Sequence, residues 1–337
     1  MDKWRAIQYF NSAVERGSFA AAARSFDVSA PAVTQLVREL ERSLGVLLLH
    51  RTTHGLALTA DGERYYETSR RVAADLLDAE QRVAPRGAKP RGTLTIGMRH
   101  SVGHNCVMPK IGRFLVRFPD VEVVTKPVAI DAIGRENVDV AVMVGWPPER
   151  DFLVRHLAQT RHVVCASAEY WARAGQPREP DELRHHHCLV FSNDEGVFVD
   201  RWTFTRGSEQ RSVDVRSRLF SGDRNWLDVA ARAGAGVMRV TDLTAVSDLT
   251  SGALVPVLTD WESAASPTIY ALYRRSHRQS RLVRVLLDFL SEVFAELENE
   301  RPLAPGGAIK RVSRPDWFGH VRGRQSTYAR RRRTVPR

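Results

Sequence analysis

Three groupings of side chains in this 337-residue sequence have the types and spacing that chemistry would need. His185, His186, His187 and Cys188 place four metal-ligand types side by side. Consecutive side chains diverge in a helix or a strand, and no second ligand pair stands at zinc-site spacing, so no metal centre is expected. Ser101 lies between His100 and His104, but there is no GxSxG elbow and no third orienting group, so nucleophilic catalysis is not expected either. The sequence has neither GxGxxG nor a Walker loop, which leaves nucleotide binding without support; it reads as a non-enzyme with no cofactor. The third grouping is Thr34, Gln35 and Arg38, hydrogen-bonding side chains at helical spacing, followed by Arg51, Thr52 and Thr53 near a turn.

These groups need helices to position them. Trp4, Ile7, Phe10 and Val14 recur at three- and four-residue steps, the stripe of an amphipathic helix that Gly17 ends. Ser18 is an N-cap for a second helix, Phe19 to Phe26, whose run Ala20 to Ala23 lets a neighbour approach closely. A third helix opens with Ser29 as N-cap and Pro31 in its first turn and stops at Gly45. Val33, Leu36, Val37, Leu40 and Leu44 form its inward face, leaving Ala30, Pro31, Thr34, Gln35 and Arg38 outward. VLLLHRTTHGLALT then reads as two short strands around a turn at His54 and Gly55.

Asp61 to Ala84 reads as one long helix, with Tyr65, Ser69, Val72, Leu76, Ala79 and Val83 spaced as a heptad seam for dimerisation; packing on its own domain is the alternative. The segment PRGAKPRG is a hinge. From Thr93 to about Glu300 strands and helices alternate, which predicts an α/β fold. Strands are expected at Thr93 to Met98, Val121 to Thr125 and Val138 to Val144, with a helix marked by Met108, Ile111, Phe114, Leu115 and Phe118. Leu153 to Leu157, His162 to Ala166 and Cys188 to Phe191 read as strands of a second lobe. A helix from Asn225 to Ala233, strands at Val237 to Val240 and Ile269 to Tyr273, and a final helix from about Ser280 to Leu297 complete the pattern.

Bulk properties narrow the class. The length suggests at least two domains. Hydrophobic content of 43% with 26% charged residues is ordinary for a globular protein, and no apolar run could span a bilayer. The N-terminus, MDKWRAIQYF, lacks the apolar core of a signal peptide, so a cytoplasmic protein is expected. Cys106, Cys165 and Cys188 form no CxxC pair and read as buried structural thiols. The net charge is +11, yet residues 301–337 carry eleven Arg or Lys against the single acid Asp316. That segment reads as a solvated, disordered tail, with added non-specific DNA affinity as the other reading.

The strings GSFAAAA at Gly17 to Ala23, VSAPAV at Val28 to Val33, RELERSLG at Arg38 to Gly45, and HRTT with LTADG at His50 to Gly62 closely resemble the LysR-type transcriptional regulators. RGTLTIG, VDVAVMVG, LRHHHCL, AGAGVMRV and SGALVPVL extend the resemblance to about nine tenths of the chain. It implies a winged helix-turn-helix over 1–60, a linker and dimerisation helix with hinge over 61–90, and a two-lobed α/β effector-binding domain over 91–300, resembling periplasmic solute-binding proteins. Lobe I would hold about 91–160 and 268–300, and lobe II about 161–267, a division that gives Leu153 to Leu157 to the first lobe.

The resemblance also assigns residues. Ala30, Pro31, Thr34, Gln35 and Arg38 would meet bases in the major groove, Arg51, Thr52, Thr53 and His54 would form the wing contact, and Ser18 would face a phosphate. Ala30 stands where the family often has Gln, Thr34 and Gln35 where Ser and Arg are common, and His54 where Arg is frequent, which implies an unusual operator. The effector would lie outside the carboxyl ends of the strands, near Arg99, Ser101, Gly145, Trp146, Ser221 and Asp223, with Ser192 and Thr241 as weaker additions. The implied partners are double-stranded DNA, a small-molecule effector, a second copy in a homodimer or homotetramer, and RNA polymerase. The rival class is a cytoplasmic small-molecule-binding protein without regulatory DNA binding.

Overall fold

The computed structural model describes residues 2–52, 55–83, 89–128, 138–145, 152–192, 196–263, 267–275 and 280–301. The chain forms two compact units, the first centred on Met1–Ala88 and the second on Lys89–Arg278.

In the first unit, α1 (Lys3–Glu15) is capped by Asp2, whose carboxylate accepts from the Arg5 N–H at 3.1 Å. Its apolar stripe buries Ala6, Tyr9, Phe10 and Ala13. Ser18 caps α2 (Phe19–Ser25), and Ala22 and Ala23 are small enough to be buried against the neighbouring helices. Asp27 adopts φ +53° in the connection to α3 (Ala30–Leu44), which Ser29 caps and Gly45 ends in the left-handed region. Val33, Val37 and Leu40 are buried, and Leu36 and Leu44 pack against them half-buried. An antiparallel ribbon follows, β1 (Leu49–Thr52) against β2 (Gly55–Leu58), with Leu49 opposite Leu58.

Helix α4 (Ala60–Val83) begins at Thr59, whose Oγ1 accepts from the Gly62 N–H at 2.9 Å and donates to the Leu47 carbonyl at 2.7 Å. Gly62 has no substitute here, because a Cβ would stand 2.0 Å from the Leu48 oxygen. The start of the expected heptad seam turns toward α1. Tyr65 meets Phe10 edge-on at 5.6 Å, and the buried Ser69 donates to Asn11 Oδ1 at 2.7 Å. Val72 and Leu76 remain exposed, at 49% and 41%, and Ala79 is half-buried. Of Val83 only the backbone is described.

The second unit opens with β3 (Gly92–Met98), α5 (His100–Val102), α6 (Ile111–Arg117), β4 (Val121–Pro127), β5 (Val140–Gly145) and β6 (Phe152–Gln159). It continues through β7 (His162–Ala166), α7 (Ala168–Ala174), β8 (Cys188–Phe191), β9 (Arg201–Arg206), β10 (Glu209–Asp214) and β11 (Ser217–Ser221). Next come α8 (Arg224–Arg232), β12 (Val237–Thr241), α9 (Val246–Ser251), β13 (Val255–Val257) and β14 (Glu262–Ser263), and the unit closes with β15 (Thr268–Arg274) and α10 (Arg281–Asn299).

Two five-stranded sheets result, in the orders β4-β3-β5-β15-β6 and β11-β8-β12-β7-β13, with a small antiparallel sheet β10-β9-β14. Strands β3, β4 and β5 are parallel in the first sheet, as are β8, β11 and β12 in the second. The reading of Leu153 to Leu157 as part of a second lobe is corrected: β6 pairs with β15 at the edge of the first sheet. Its alternation, with only Ala158 buried, is that of a strand covered on one face, and pattern alone does not name the sheet. The small sheet was not foreseen, its strands being rich in Arg, Thr and Glu.

Helix α10 lies on the first sheet, burying Leu286, Phe289, Leu290, Val293 and Phe294 among Leu94, Ile96 and Phe114. Its outer edge is tied to α6 by charge. Arg113 donates to both oxygens of Glu296 at 2.7 and 2.6 Å, and Lys110 donates to the same carboxylate at 3.1 Å. These bonds hold Glu296 at a pKa of about 2, against an ordinary 4.5. A carboxylate depressed in this way stabilises the fold fully above its ordinary pKa and loses that contribution as pH falls through the folded value. The unfolding midpoint of Glu296→Gln is therefore expected below that of the wild type near neutrality, with the gap closing between roughly pH 4.5 and pH 2. A gap independent of pH in calorimetry would mean that the carboxylate charge does not matter.

Candidate nucleic-acid interface and effector cleft

The outward face of α3 is narrower than the sequence suggests. Pro31, Gln35 and Arg38 are exposed, whereas Ala30 is half-buried against the helical core. Thr34 turns its hydroxyl back to the Ala30 carbonyl at 2.9 Å, as a helical Thr does when no other partner is in reach. Gln35 donates to Glu39 Oε1 at 3.2 Å, one turn along the exposed side. Ser18 is half-buried, and its Oγ accepts from the Ala21 N–H at 3.1 Å. A shallow concavity between α3 and the ribbon is lined by Phe19, Thr34, Arg38, His50 and Leu56. Thr53 and His54 lie outside the described residues, and of Arg51 and Thr52 only the backbone is described, within β1.

Sequence reasoning missed Glu41. Its buried Oε1 accepts from the backbone N–H groups of Leu48 and Leu49, at 2.8 and 3.1 Å, tying the start of the ribbon to α3. The signal was its place on the inward face, four residues after Val37 and three before Leu44.

In the second unit, the expected effector residues gather at the carboxyl ends of the parallel strands. Arg99 and Ser101 follow β3, and Gly145 ends β5 with φ +129°. Ser192 and Ser221 end β8 and β11, where the Ser192 N–H donates to the Ser221 carbonyl at 2.9 Å. Asp223 caps α8 by accepting from the Asn225 N–H at 2.9 Å, and the Ser221 hydroxyl is held by the Asp223 backbone. Thr241 is buried and its hydroxyl is 2.7 Å from that of Thr244, which leaves it turned into the protein. Trp146 lies outside the described residues.

The segment after β3 is an irregular helix, with a π-helical stretch at Gly103–Val107, and it is bonded to α8 and to the turn after β12. His100 Nδ1 shares a hydrogen bond with Asp223 at 3.2 Å, Asn105 donates to Asp228 at 3.4 Å, and the Cys106 thiol reaches the Leu243 carbonyl at 3.6 Å. Burial raises the pKa of Asp228, and Arg224 and Asn105 oppose it. Two arginines missed in the sequence also point here. Arg224 donates to the Arg239 carbonyl at 2.7 Å and lies 4.4 Å over the Phe191 ring, and Arg239 reaches Ser263 Oγ at 3.5 Å beside Trp202. The usable sign was a charge in the otherwise apolar run VMRVT.

Among the described residues no group of His, Cys, Asp or Glu could hold a metal ion. His186 is buried with Nδ1 3.3 Å from the Tyr170 hydroxyl, and burial lowers its pKa. All three cysteines are buried and free, and burial pushes the Cys106 and Cys188 thiols up to about 12.

Comparison with known proteins fits both halves. Residues 4–63 match the bacterial regulatory helix-turn-helix protein, lysR family, and residues 87–295 match the LysR substrate binding domain. An HTH-type transcriptional regulator of Xanthomonas campestris pv. campestris is 33% identical over 83% of this chain and 82% of its own. The regulator CrgA of Neisseria meningitidis serogroup B is 29% identical over 85% and 95%. The solved structure of CrgA, a LysR-type transcriptional regulator, aligns with TM-score 0.56 and 28% identity over 86% of this chain and 98% of that one. Full-length AphB, the Vibrio cholerae virulence activator, aligns with TM-score 0.53 and 25% identity over 86% and 98%.

Replacing Glu41 by Ala leaves two buried N–H groups without an acceptor, at a cost of about 2–4 kcal/mol to the first unit. Glu41→Gln keeps an acceptor and is expected to lose less. Calorimetry of the full chain should show the first unit's midpoint falling in that order; identical midpoints would remove Glu41 as the anchor of the ribbon.

Proposed function

The chain belongs to the LysR family of bacterial transcriptional regulators, and on that premise we propose how its own residues divide the work. It is a DNA-binding transcriptional regulator with a helix-turn-helix domain and an effector-binding domain. Within it, we read α3 as the helix that enters the major groove, a groove wide enough at about 12 Å to admit one. The single observation that carries this reading is the exposed pair Gln35 and Arg38 on a helix whose opposite face is the core of its domain. Gln pairs with adenine through two hydrogen bonds and Arg with guanine, so these two side chains are assigned base contacts. Thr34 and Ala30 are assigned shape and methyl contacts at most, since the first is bonded to its own helix and the second is half-buried. The ribbon, with Arg51, Thr52, Thr53 and His54, is assigned to the DNA backbone and minor groove.

The effector is placed between the lobes, near Arg99, Ser101, Gly145, Ser192, Ser221 and Asp223 at and beside the strand ends, and Trp146, outside the described residues, is assigned to it from the sequence alone. Among the described residues no helix is long and apolar enough to cross a membrane, and a regulator that meets its promoter is placed in the cytoplasm, with RNA polymerase as a further partner. Self-association is proposed through exposed apolar side chains: Val72 and Leu76 on α4, and Trp226, 71% exposed, with Val229 on α8.

Two measurements follow. Arg38→Ala is expected to weaken operator binding roughly 5- to 150-fold and relax preference at one position, whereas Arg51→Ala should weaken all sequences alike and reduce the salt slope by about 0.9. Footprinting and titration on the adjacent intergenic region test this; an Arg38→Ala protein with undiminished affinity would move the base contacts elsewhere. In sedimentation velocity, Leu76→Asp and Trp226→Asp should each shift the population toward monomer, and an unchanged distribution for both rules out these two faces.

A further inference from the structure

Helix α4 serves two neighbours. Its first turns lie on α1, where Tyr65 and Tyr66 meet the ring of Phe10 edge-on at 5.6 and 6.2 Å, and further along Val72 and Leu76 stand exposed. Helix α3 packs into the same cluster as Phe10 through Val33, Val37 and Leu40. The exposed part of α4 is the part assigned to a second copy, so the contact between α1 and α4 decides how each α3 is held relative to its counterpart.

Much of that contact is apolar. Apolar burial is non-directional, so by itself it sets the area covered more strictly than the angle at which two helices cross. Two hydrogen-bonded links add direction. Ser69, 5% exposed, donates to Oδ1 of Asn11, 7% exposed, at 2.7 Å. One turn away the Tyr66 hydroxyl donates to Glu15 Oε1 at 3.2 Å, and Arg70 Nε lies 3.7 Å from the same oxygen. Asn11 and Glu15 are four residues apart on α1, and Ser69 and Tyr66 are three apart on α4 in the opposite sense. At 1.5 Å per residue the links stand about 5 Å apart along both helices. One link would leave α4 free to turn about it; two fix its position and its crossing angle together.

The inner pair is not what burial alone would select. The Ser69 hydroxyl has a second acceptor on its own helix, the Tyr66 carbonyl at 3.3 Å, and so has no need of Asn11. An apolar pair of the same shape can replace two buried hydrogen-bonding partners at little or no net cost. What a buried polar pair adds is a preference for one register over its neighbours, as a single buried Asn does in a coiled coil.

We propose that Asn11 and Ser69, assisted by Glu15 and Tyr66, set the separation of the two DNA half-sites that a pair of subunits binds. They are positioning residues: none of the four belongs to the face assigned to DNA, and they act by fixing α3, through α1, on the helix that carries the second copy. The assignment rests on the readings that α3 enters the major groove and that α4 carries self-association. It goes further in naming the side chains that choose among operators with the same half-sites.

Operators carrying the footprinted half-sites at their native separation, and with one, two or five base pairs inserted between them, are to be titrated with the full-length protein, beside a duplex bearing one half-site. Each inserted base pair turns one half-site by about 34° around the duplex, so the wild type should bind the native separation at least about tenfold more tightly than the two-base-pair insertion. The double variant Asn11→Leu with Ser69→Ala should keep the wild-type melting midpoint, sedimentation profile and affinity for the single half-site, while its preference for the native separation falls to about threefold or less. Tyr66→Phe, which keeps the ring, should lose part of the preference; full retention strikes Glu15 and Tyr66 from the assignment. An unchanged preference in the double variant overturns the proposal. A lowered midpoint, a shift toward monomer or weaker binding to the single half-site makes the pair structural and overturns it too. A wild type indifferent to the separation overturns, with the proposal, the reading of self-association through α4 on which it rests.

Discussion

The second unit depends on two strands of chain that cross between its sheets at the same place. Thr160 leads from β6 into the second sheet, and Pro267 leads back into β15. The Thr160 N–H and hydroxyl both donate to the Pro267 carbonyl, at 3.0 and 2.7 Å, so the outgoing and returning segments are clamped at one point. Asp242, 2% exposed, sits beside the clamp. It accepts from the backbone N–H groups of Arg161 and Leu243 and lies 3.5 and 3.6 Å from the guanidinium groups of Arg161 and Arg301. Breaking one partner of a buried charge cluster typically costs about 3–5 kcal/mol, so the crossing is a fixed point about which the two sheets are placed. Other contacts join the two halves, His100 to Asp223, Asn105 to Asp228 and the Cys106 thiol to the Leu243 carbonyl, and Leu243 and Val246 are buried in the apolar cluster of the first sheet. A ligand biases such an arrangement only by the difference in its contacts between one placement of the sheets and another.

The first unit solves a different problem. A small domain has little apolar area to bury, and here three helices share one cluster around Phe10, Val37 and Leu40. The ribbon joins that cluster through Leu49, Leu56 and Leu58. Its position is also set by polar atoms: Glu41 holds the N–H groups of Leu48 and Leu49, Thr59 holds the Leu47 carbonyl, and the Gly17 carbonyl accepts from Leu56. Each of these ties the ribbon to a neighbouring segment, so that hydrogen bonds as well as packing hold it, whereas α3 is held by its buried face.

What was legible in the sequence follows the same division. Helices α1, α2 and α3, the serine caps of α2 and α3 and the stop at Gly45 could be read because periodicity and capping are local, and the match to the LysR family covers the chain from residue 4 to 295 in two segments. The seam on α4 was legible as a period but not as a destination. Tyr65 and Ser69 keep that period while facing α1, because a heptad cannot say whether the apolar neighbour is the same chain or another. Glu41, Asp242 and the β10-β9-β14 sheet were not legible, since a charged residue reads as surface until its buried partner is known.

Charge shows most clearly how location outranks quantity. The net +11 invites a nucleic-acid reading, yet nearly all of it stands after residue 300 and residues 1–60 are only slightly basic. For a helix that reads bases, this matters less than it first suggests. Backbone neutralisation supplies affinity that any duplex can share, whereas discrimination comes from a few directed hydrogen bonds at base edges. Gln35 and Arg38 can supply those with one formal charge between them. The same logic governs the second unit, where many surface arginines are neutralised by neighbouring carboxylates and so give the protein no selective attraction for a ligand.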